Sequence, residues 1–324
     1  MPTPADPSAQ PVVAPAPQIV ATMQCLEVWG GNRATDNAVT LPGVDAWVYA
    51  RPHENAAEGG DIHYLSSCAT GRIVRVLLAD VSGHGPAVAG VATSLRNLMR
   101  RYVNYVDQTL LVSGVNAEFT RLAEMSGFAT AIVATYWTPT DEIVLSNAGH
   151  PPPMVYRAAT RSWQVAQARA AAGASGDQPS NIPLGIAEQV GYDTFTIRLA
   201  RGDLLLLYTD SLIEARDEQG KMLGVPGLLA RLDALPTTDP AALIPALLAA
   251  LGGEAALADD ATILLLRPND HKPRGSLATG LMAGWRIARE SIRGLGRLPI
   301  PLPQVSLRNL GGAFLDRINR RRAR

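Results

Sequence analysis

Hydrophobic and polar positions change period several times along the chain. RIVRVLLAD (72–80) and LLLLYTD (204–210) are nearly unbroken apolar runs, the pattern of strands buried on both faces. YDTFTIRLA (192–200) alternates as a half-buried strand does, and ATILLLR (261–267) predicts a final strand. GVDAWVYARP (43–52) contains a short strand that stops at Pro52. ATAIVATYW (129–137) and EIVLSNAG (142–149) predict two strands joined by TPTD, whose Pro139 and Asp141 favour a turn, and PMVYR (153–157) a further one. Between the strands the period changes to that of a helix. Val88, Val91, Leu95, Leu98 and Met99 line one face of a helix over 87–103. A second helix fits 110–125 and stops at Gly127; two more fall near 226–234 and 240–251. Strands in hairpin-like succession, interrupted by helix pairs, predict a largely antiparallel α+β fold rather than a doubly wound sheet.

The flanks behave differently. Residues 1–20 are rich in Pro and Ala and are expected to be a disordered leader. The globular domain is expected over 21–270, with a long mobile loop at 158–181, where Ala, Gly and Ser occur without a period. Formal net charge is zero, but residues 271–324 hold twelve Lys and Arg against two acids, so a basic tail follows an acidic body. An acidic body suits divalent cations; a basic tail suits an acidic partner or an anionic membrane surface. Nucleic acid is not the expected partner, because aromatic and basic residues do not interleave there. Cys25 and Cys68 make neither a disulfide framework nor a zinc site. The start lacks the basic-then-apolar pattern of a secretory signal and no run of about 18 apolar residues occurs, so a cytoplasmic location is expected.

Four short segments place aspartates beside glycines or at strand ends: GGD (59–61), ADVSGHG (79–85), YTDS (208–211) and ADDAT (258–262). One aspartate after a strand is ordinarily a turn former. Together they say more. Asp80 and Asp210 end strongly apolar strands, and Asp259-Asp260 immediately precedes one. Were those strands to share a sheet, the carboxylates would converge at one edge. Clustered carboxylates without cations cost several kcal/mol, and no Lys or Arg lies within a few residues of Asp80, Asp210 or Asp259. Hard divalent cations, Mg²⁺ or Mn²⁺, take such oxygen ligands.

GGD, then DVSGHG, NAGHPPP, YTD and DDAT, in this order over residues 43–267, resembles the PPM-type protein phosphatases and most of all their SpoIIE-like bacterial branch. The resemblance implies a four-layer αββα sandwich, antiparallel sheets flanked by helices. It implies hydrolysis of phosphoserine or phosphothreonine on a regulatory protein, such as an anti-sigma-factor antagonist, by water activated between two Mn²⁺ or Mg²⁺ ions. Asp61 and Asp80 match the family's catalytic metal ligands, with Asp80 bridging the ions and the Val81 carbonyl adding to one. Asp210 matches a third ligand and Asp259 or Asp260 a fourth. The chain departs from the pattern at Tyr64, near an expected acid, and at Ser211, where Gly is usual and a positive φ would cost about 1 kcal/mol.

Three histidines lie near these segments. His63 can orient Asp61 from behind, His84 can protonate a leaving group, and His150 can support the site's edge; each can equally be a turn or strand-end residue. Gly83 and Gly85 suit a backbone that passes close to phosphate or metal. Two alternatives accompany the phosphatase reading. In one the chain is a phosphatase-like scaffold that only binds partners; in the other the helix at 87–103 regulates activity by setting Asp80.

Overall fold

The computed structural model describes residues 19–23, 28–68, 71–83, 86–103, 105–123, 127–166 and 180–272. The expected leader up to residue 18, most of the expected mobile loop and the tail beyond Lys272 lie outside these residues, as do Cys25, His84 and Gly85.

The chain opens with four strands, β1 (Ile19–Thr22), β2 (Val28–Gly31), β3 (Thr35–Leu41) and β4 (Val44–Arg51). Next come β5 (Asp61–Ser67) and β6 (Ile73–Val81), then helices α1 (Pro86–Arg101) and α2 (Gln108–Ala123). Four strands follow, β7 (Ala129–Trp137), β8 (Glu142–Ala148), β9 (Met154–Arg157) and β10 (Ser162–Val165). The last part holds β11 (Phe195–Arg198), β12 (Leu204–Tyr208), α3 (Ser211–Glu214), α4 (Gly224–Asp233), α5 (Pro240–Ala250) and β13 (Ala261–Pro268).

These strands make two sheets. One has seven strands in the order β1-β3-β4-β13-β12-β9-β10; the other has six, β11-β8-β7-β6-β5-β2. All pairings between the named strands are antiparallel except β1 with β3. The sheets face each other across an aliphatic core that includes Val48, Val76, Leu78, Ile132, Leu207 and Leu264. Helices α1 and α2 cover the outer face of the six-stranded sheet, and α4 and α5 that of the seven-stranded one. The result is the αββα sandwich expected from the sequence.

The strand β12 shows why a continuous apolar run is needed. Leu205 and Leu207 point into the space between the sheets, whereas Leu204, Leu206 and Tyr208 point into the helix layer. Both faces are buried, so no alternation survives. Removing one such leucine side chain costs about 2–5 kcal/mol. In α5, Asp239 caps the helix by accepting the Ala241 N–H at 3.0 Å, and Pro240 sits where its missing N–H does no harm.

Several elements differ from the sequence reading. The segment expected to be a mobile loop begins with the strand β10, which pairs back on β9. β1 falls partly within the expected leader. The strands β2, β3 and β5 and the short helix α3 had no clear apolar period to announce them. In β5, DIHYLSS is wholly buried although most of its letters are polar.

Candidate active site

At one end of the sandwich the two sheets present acids to each other. Asp61 opens β5, and Asp80 in β6 lies directly opposite it; Thr130 of β7 lies opposite Asp80 on the other side. Cross-strand neighbours share a face, so Asp61, Asp80 and Thr130 form a row. That face looks toward the other sheet, because Leu65 and Leu78, further along the same strands, are in the inter-sheet core.

The seven-stranded sheet supplies the rest. Thr209 and Asp210 follow β12, and Asp259-Asp260 lead into its partner β13. The expectation of a single sheet edge is therefore corrected: the acids come from the ends of two sheets. Thr209 joins them. Its hydroxyl donates to Asp61 Oδ2 at 2.8 Å and accepts the Thr262 N–H at 2.9 Å, while its own N–H donates to the Thr262 carbonyl at 3.1 Å.

The carboxylates feel one another. Asp80 is pushed up to about 7, first by burial and then by the charges of Asp210, Asp259, Asp260 and Glu214. Asp61, only 6% exposed, is raised well above the usual range by burial and by Asp80, against the hydrogen bonds of threonines. Asp210 is raised by burial and by Asp259. Among the described residues no Lys or Arg forms an ion pair with these five aspartates. Nor, among the described residues, are three His, Cys, Asp or Glu side chains gathered tightly enough to hold an ion as they stand. The acids form an open ring. Its donor set, carboxylates with no imidazole or thiolate among them, fits a hard divalent cation.

The neighbours Asp259 and Asp260 differ in what they do. Both oxygens of Asp260 are engaged by main-chain N–H groups, Oδ1 by His53 at 2.6 Å and Oδ2 by Gly60 at 2.5 Å, with Asp61 at 3.4 Å. Asp259 is exposed, accepts the Asp260 N–H at 2.7 Å, and acts on Asp80, Asp210 and Glu214 by its charge. Asp260 thus holds the loop before β5 while also raising Asp80 and Asp61 by its charge, whereas Asp259 makes no such clamp.

That clamp explains both glycines of GGD. A Cβ on Gly59 would stand 2.6 Å from Asp260 Oδ2, and one on Gly60 would stand 2.9 Å from the Val81 carbonyl oxygen. Neither contact is sterically tolerable, so glycine is what allows Asp260, Asp61 and the Val81 main chain to meet.

The departures from the family pattern resolve structurally. Ser211 opens α3 and is not among the residues of positive φ, so no strain attends it. Tyr64 points away from the acids into the helix layer, buried and raised to about 12 by that burial. His63 lies on the face of Asp61, buried edge-on to Trp29 with ring centroids 5.4 Å apart; burial lowers it to about 4, which keeps it neutral. His150 bonds Thr130 Oγ1 through Nδ1 at 2.8 Å. Its burial lowers it to about 3, against the effect of the Tyr208 main chain.

Two participants lacked a sequence signal of their own. Glu214, exposed and one turn beyond Asp210 on α3, is raised by slight burial and by the charges of Asp210 and Asp259, which places it near these acids. Thr209 reads as an ordinary strand-end threonine, and only its position between the sheets gives it a role.

Such a two-sheet sandwich flanked by helices is shared with solved PP2C-type phosphatase domains. The sequence profile of the Stage II sporulation protein E (SpoIIE) family matches residues 70–269, and the chain belongs to that family. It is 22% identical over 148 residues to the phosphoserine phosphatase RsbU of Bacillus subtilis, covering 45% of this chain and 41% of that relative's length. The structure of the RsbU and RsbW domains of a Mycobacterium tuberculosis protein is similar, with a TM-score of 0.58 and 22% identity, over 78% of this chain and 69% of that one. So is the PP2C phosphatase domain, with a regulatory fragment, of SpoIIE from Bacillus subtilis, with a TM-score of 0.54 and 15% identity, over 76% of this chain and 64% of that one.

Proposed function

We propose that this chain is a metal-dependent protein phosphatase that hydrolyses phosphoserine or phosphothreonine on a regulatory protein. The supporting observation is the ring itself: carboxylates from two sheets face one another without a cationic partner among the described residues, and the proton affinities of Asp61, Asp80 and Asp210 are raised by burial and by one another. Folding retains so unfavourable a cluster where something cationic is to occupy it.

In this reading Asp61, Asp80, Asp210, Asp259 and the Val81 carbonyl hold Mn²⁺ or Mg²⁺, two ions by resemblance, and Asp260 is a loop clamp. A bound divalent cation supplies Lewis acidity toward phosphoryl oxygens and lowers the pKa of water. The chain's own residues provide placement and proton accounting. Thr209 fixes Asp61 through Oδ2. Asp80, pushed up to about 7 by burial and neighbouring charge, would have to be deprotonated to hold a cation. A phosphate dianion is repelled by the bare ring, so substrate binding itself requires the cation. Asp259 is the exposed one of the five aspartates, and we assign the entry of a phosphorylated side chain to its side.

The substrate class follows the relatives: RsbU is a phosphoserine phosphatase, and the Mycobacterium tuberculosis structure contains RsbU and RsbW domains together. A phosphorylated anti-sigma-factor antagonist is the regulatory protein we assign. The basic tail is assigned to docking on an acidic partner or an anionic surface. Among the described residues no helix is long and apolar enough to cross a membrane. Phosphate release from a phosphoserine protein with Mn²⁺ present, abolished by Asp80→Asn, is the expected result. Metal-replete protein that releases no phosphate from phosphoserine, phosphothreonine or a generic aryl phosphate contradicts it.

A further inference from the structure

The row Asp61-Asp80-Thr130 is held by a hydrogen bond at both of its ends. At the Asp61 end the contact is the Thr209 hydroxyl. At the Thr130 end it is His150, which no part of the proposed chemistry uses.

His150 follows β8 and is 5% exposed. Its main chain is held from both sides by Asn147, whose Oδ1 accepts the His150 N–H and whose Nδ2 donates to the His150 carbonyl, each at 2.8 Å. Gly149, with φ +69°, makes the turn possible. From His150 the chain crosses to β9 of the opposite sheet, where Met154 lies opposite Leu206, so this crossing runs beside the end of β12. Nδ1 bonds Thr130 Oγ1 at 2.8 Å, beside Asp80. The ring also lies near the main chain of Tyr208, two residues before Asp210; Nε2 is buried and makes no hydrogen bond. One buried imidazole thus bonds the cross-strand neighbour of Asp80 and lies near the Tyr208 main chain, two residues before Asp210.

We propose that His150 is a positioning residue, a buried strut that sets the spacing of the two sheets at the acid end and so places Asp80 relative to Asp210. The inference rests on the reading of this end as a divalent-cation site. The strut acts through Thr130 and Tyr208 and does not itself touch the acids. An outer group of this kind typically changes metal affinity by about 10–100-fold when removed.

The test measures Mn²⁺ binding by calorimetry, without substrate, in the wild type, His150→Phe, His150→Gln and Thr130→Val. The expected result is a loss of about 10–100-fold in Mn²⁺ affinity for His150→Phe, with its melting temperature close to that of the wild type. Partial recovery is expected in His150→Gln, together with faster amide exchange at residues 129–131 of metal-free His150→Phe. Hydrolysis by His150→Phe should return toward the wild-type rate at saturating Mn²⁺. If His150→Phe does not fold, Thr130→Val, which keeps the histidine and removes its partner, decides on the same affinity readout. Wild-type Mn²⁺ affinity in His150→Phe, or in Thr130→Val where that variant decides, overturns the strut while leaving the phosphatase reading intact. So does equal weakening in the Phe and Gln variants that merely tracks lost thermal stability. A wild type that binds no Mn²⁺ overturns the reading and the strut together.

Discussion

The six-stranded sheet buries charge at two places, and they are solved in opposite ways. On its helix-facing side Arg75 is fully buried, with no carboxylate partner among the described residues. Neutral acceptors surround it instead: its Nε donates to the Val103 carbonyl at 3.2 Å, and Nη1 to Gln108 Oε1 at 3.4 Å and to Thr135 Oγ1. Burial brings it down to about 10, and it stays charged at neutral pH. At the other place acids face acids, and their protons are held more tightly than usual. The first arrangement meets its charge with acceptors of the fold at Nε and Nη1, leaving Nη2 buried without a partner. The second finds no cation within the described fold, and on the proposed function that is what separates a structural ion from a binding site.

The largest expected effect lies at the acid end. Asp80→Asn should reduce Mn²⁺-dependent phosphate release by about 10²–10³-fold or more, measured as phosphate released per folded molecule. The same variant should melt at a higher temperature than the wild type in metal-free buffer, because a repelled, desolvated charge is gone. At the other place the signs reverse. Arg75→Met should cost about 3 kcal/mol in urea unfolding, since the acceptors it satisfied remain buried, and should leave Mn²⁺ affinity unchanged.

A smaller effect separates the two neighbours. Asp259→Asn should weaken Mn²⁺ binding by about tenfold with stability kept. Asp260→Asn should cost about 1–2 kcal/mol of stability, because the N–H groups of His53 and Gly60 lose a charged acceptor. Calorimetry and denaturant unfolding of the pair check this together.

The gentlest probe is pH. Folded Asp80 titrates at about 7 against an ordinary value of 3.8, so the folded state binds more protons between those limits. Stability of the metal-free protein should therefore fall as pH rises through that window. Thermal melts in chelator across the window should show the fall. Added Mn²⁺ should raise the melting temperature most above pH 7, where the acids are already deprotonated.

Much of this was legible before any coordinates. The strand Ala129–Trp137 has the limits its apolar run predicted, and Asp61, Asp80 and Asp210 were marked by the motifs around them. What was hidden has physical reasons. β5 carries buried His63, Ser66 and Ser67, so hydrophobicity could not announce it. α3 is too short for a period to appear. The different surroundings of Asp259 and Asp260 come from main-chain N–H groups some 200 residues away in sequence, at His53 and Gly60, which no local pattern encodes. That the acids come from two sheets and not one is a matter of topology, invisible in the order of strands along the chain.

The most direct test of the central claim is calorimetric titration of the metal-free protein with Mn²⁺ at pH 6.5, repeated in two buffers of different ionisation enthalpy. The account predicts binding accompanied by proton release, because Asp80 is largely protonated there until a cation displaces the proton. It predicts that Asp80→Asn loses most of both signals. Heat without any proton release, or no binding at all, would contradict it.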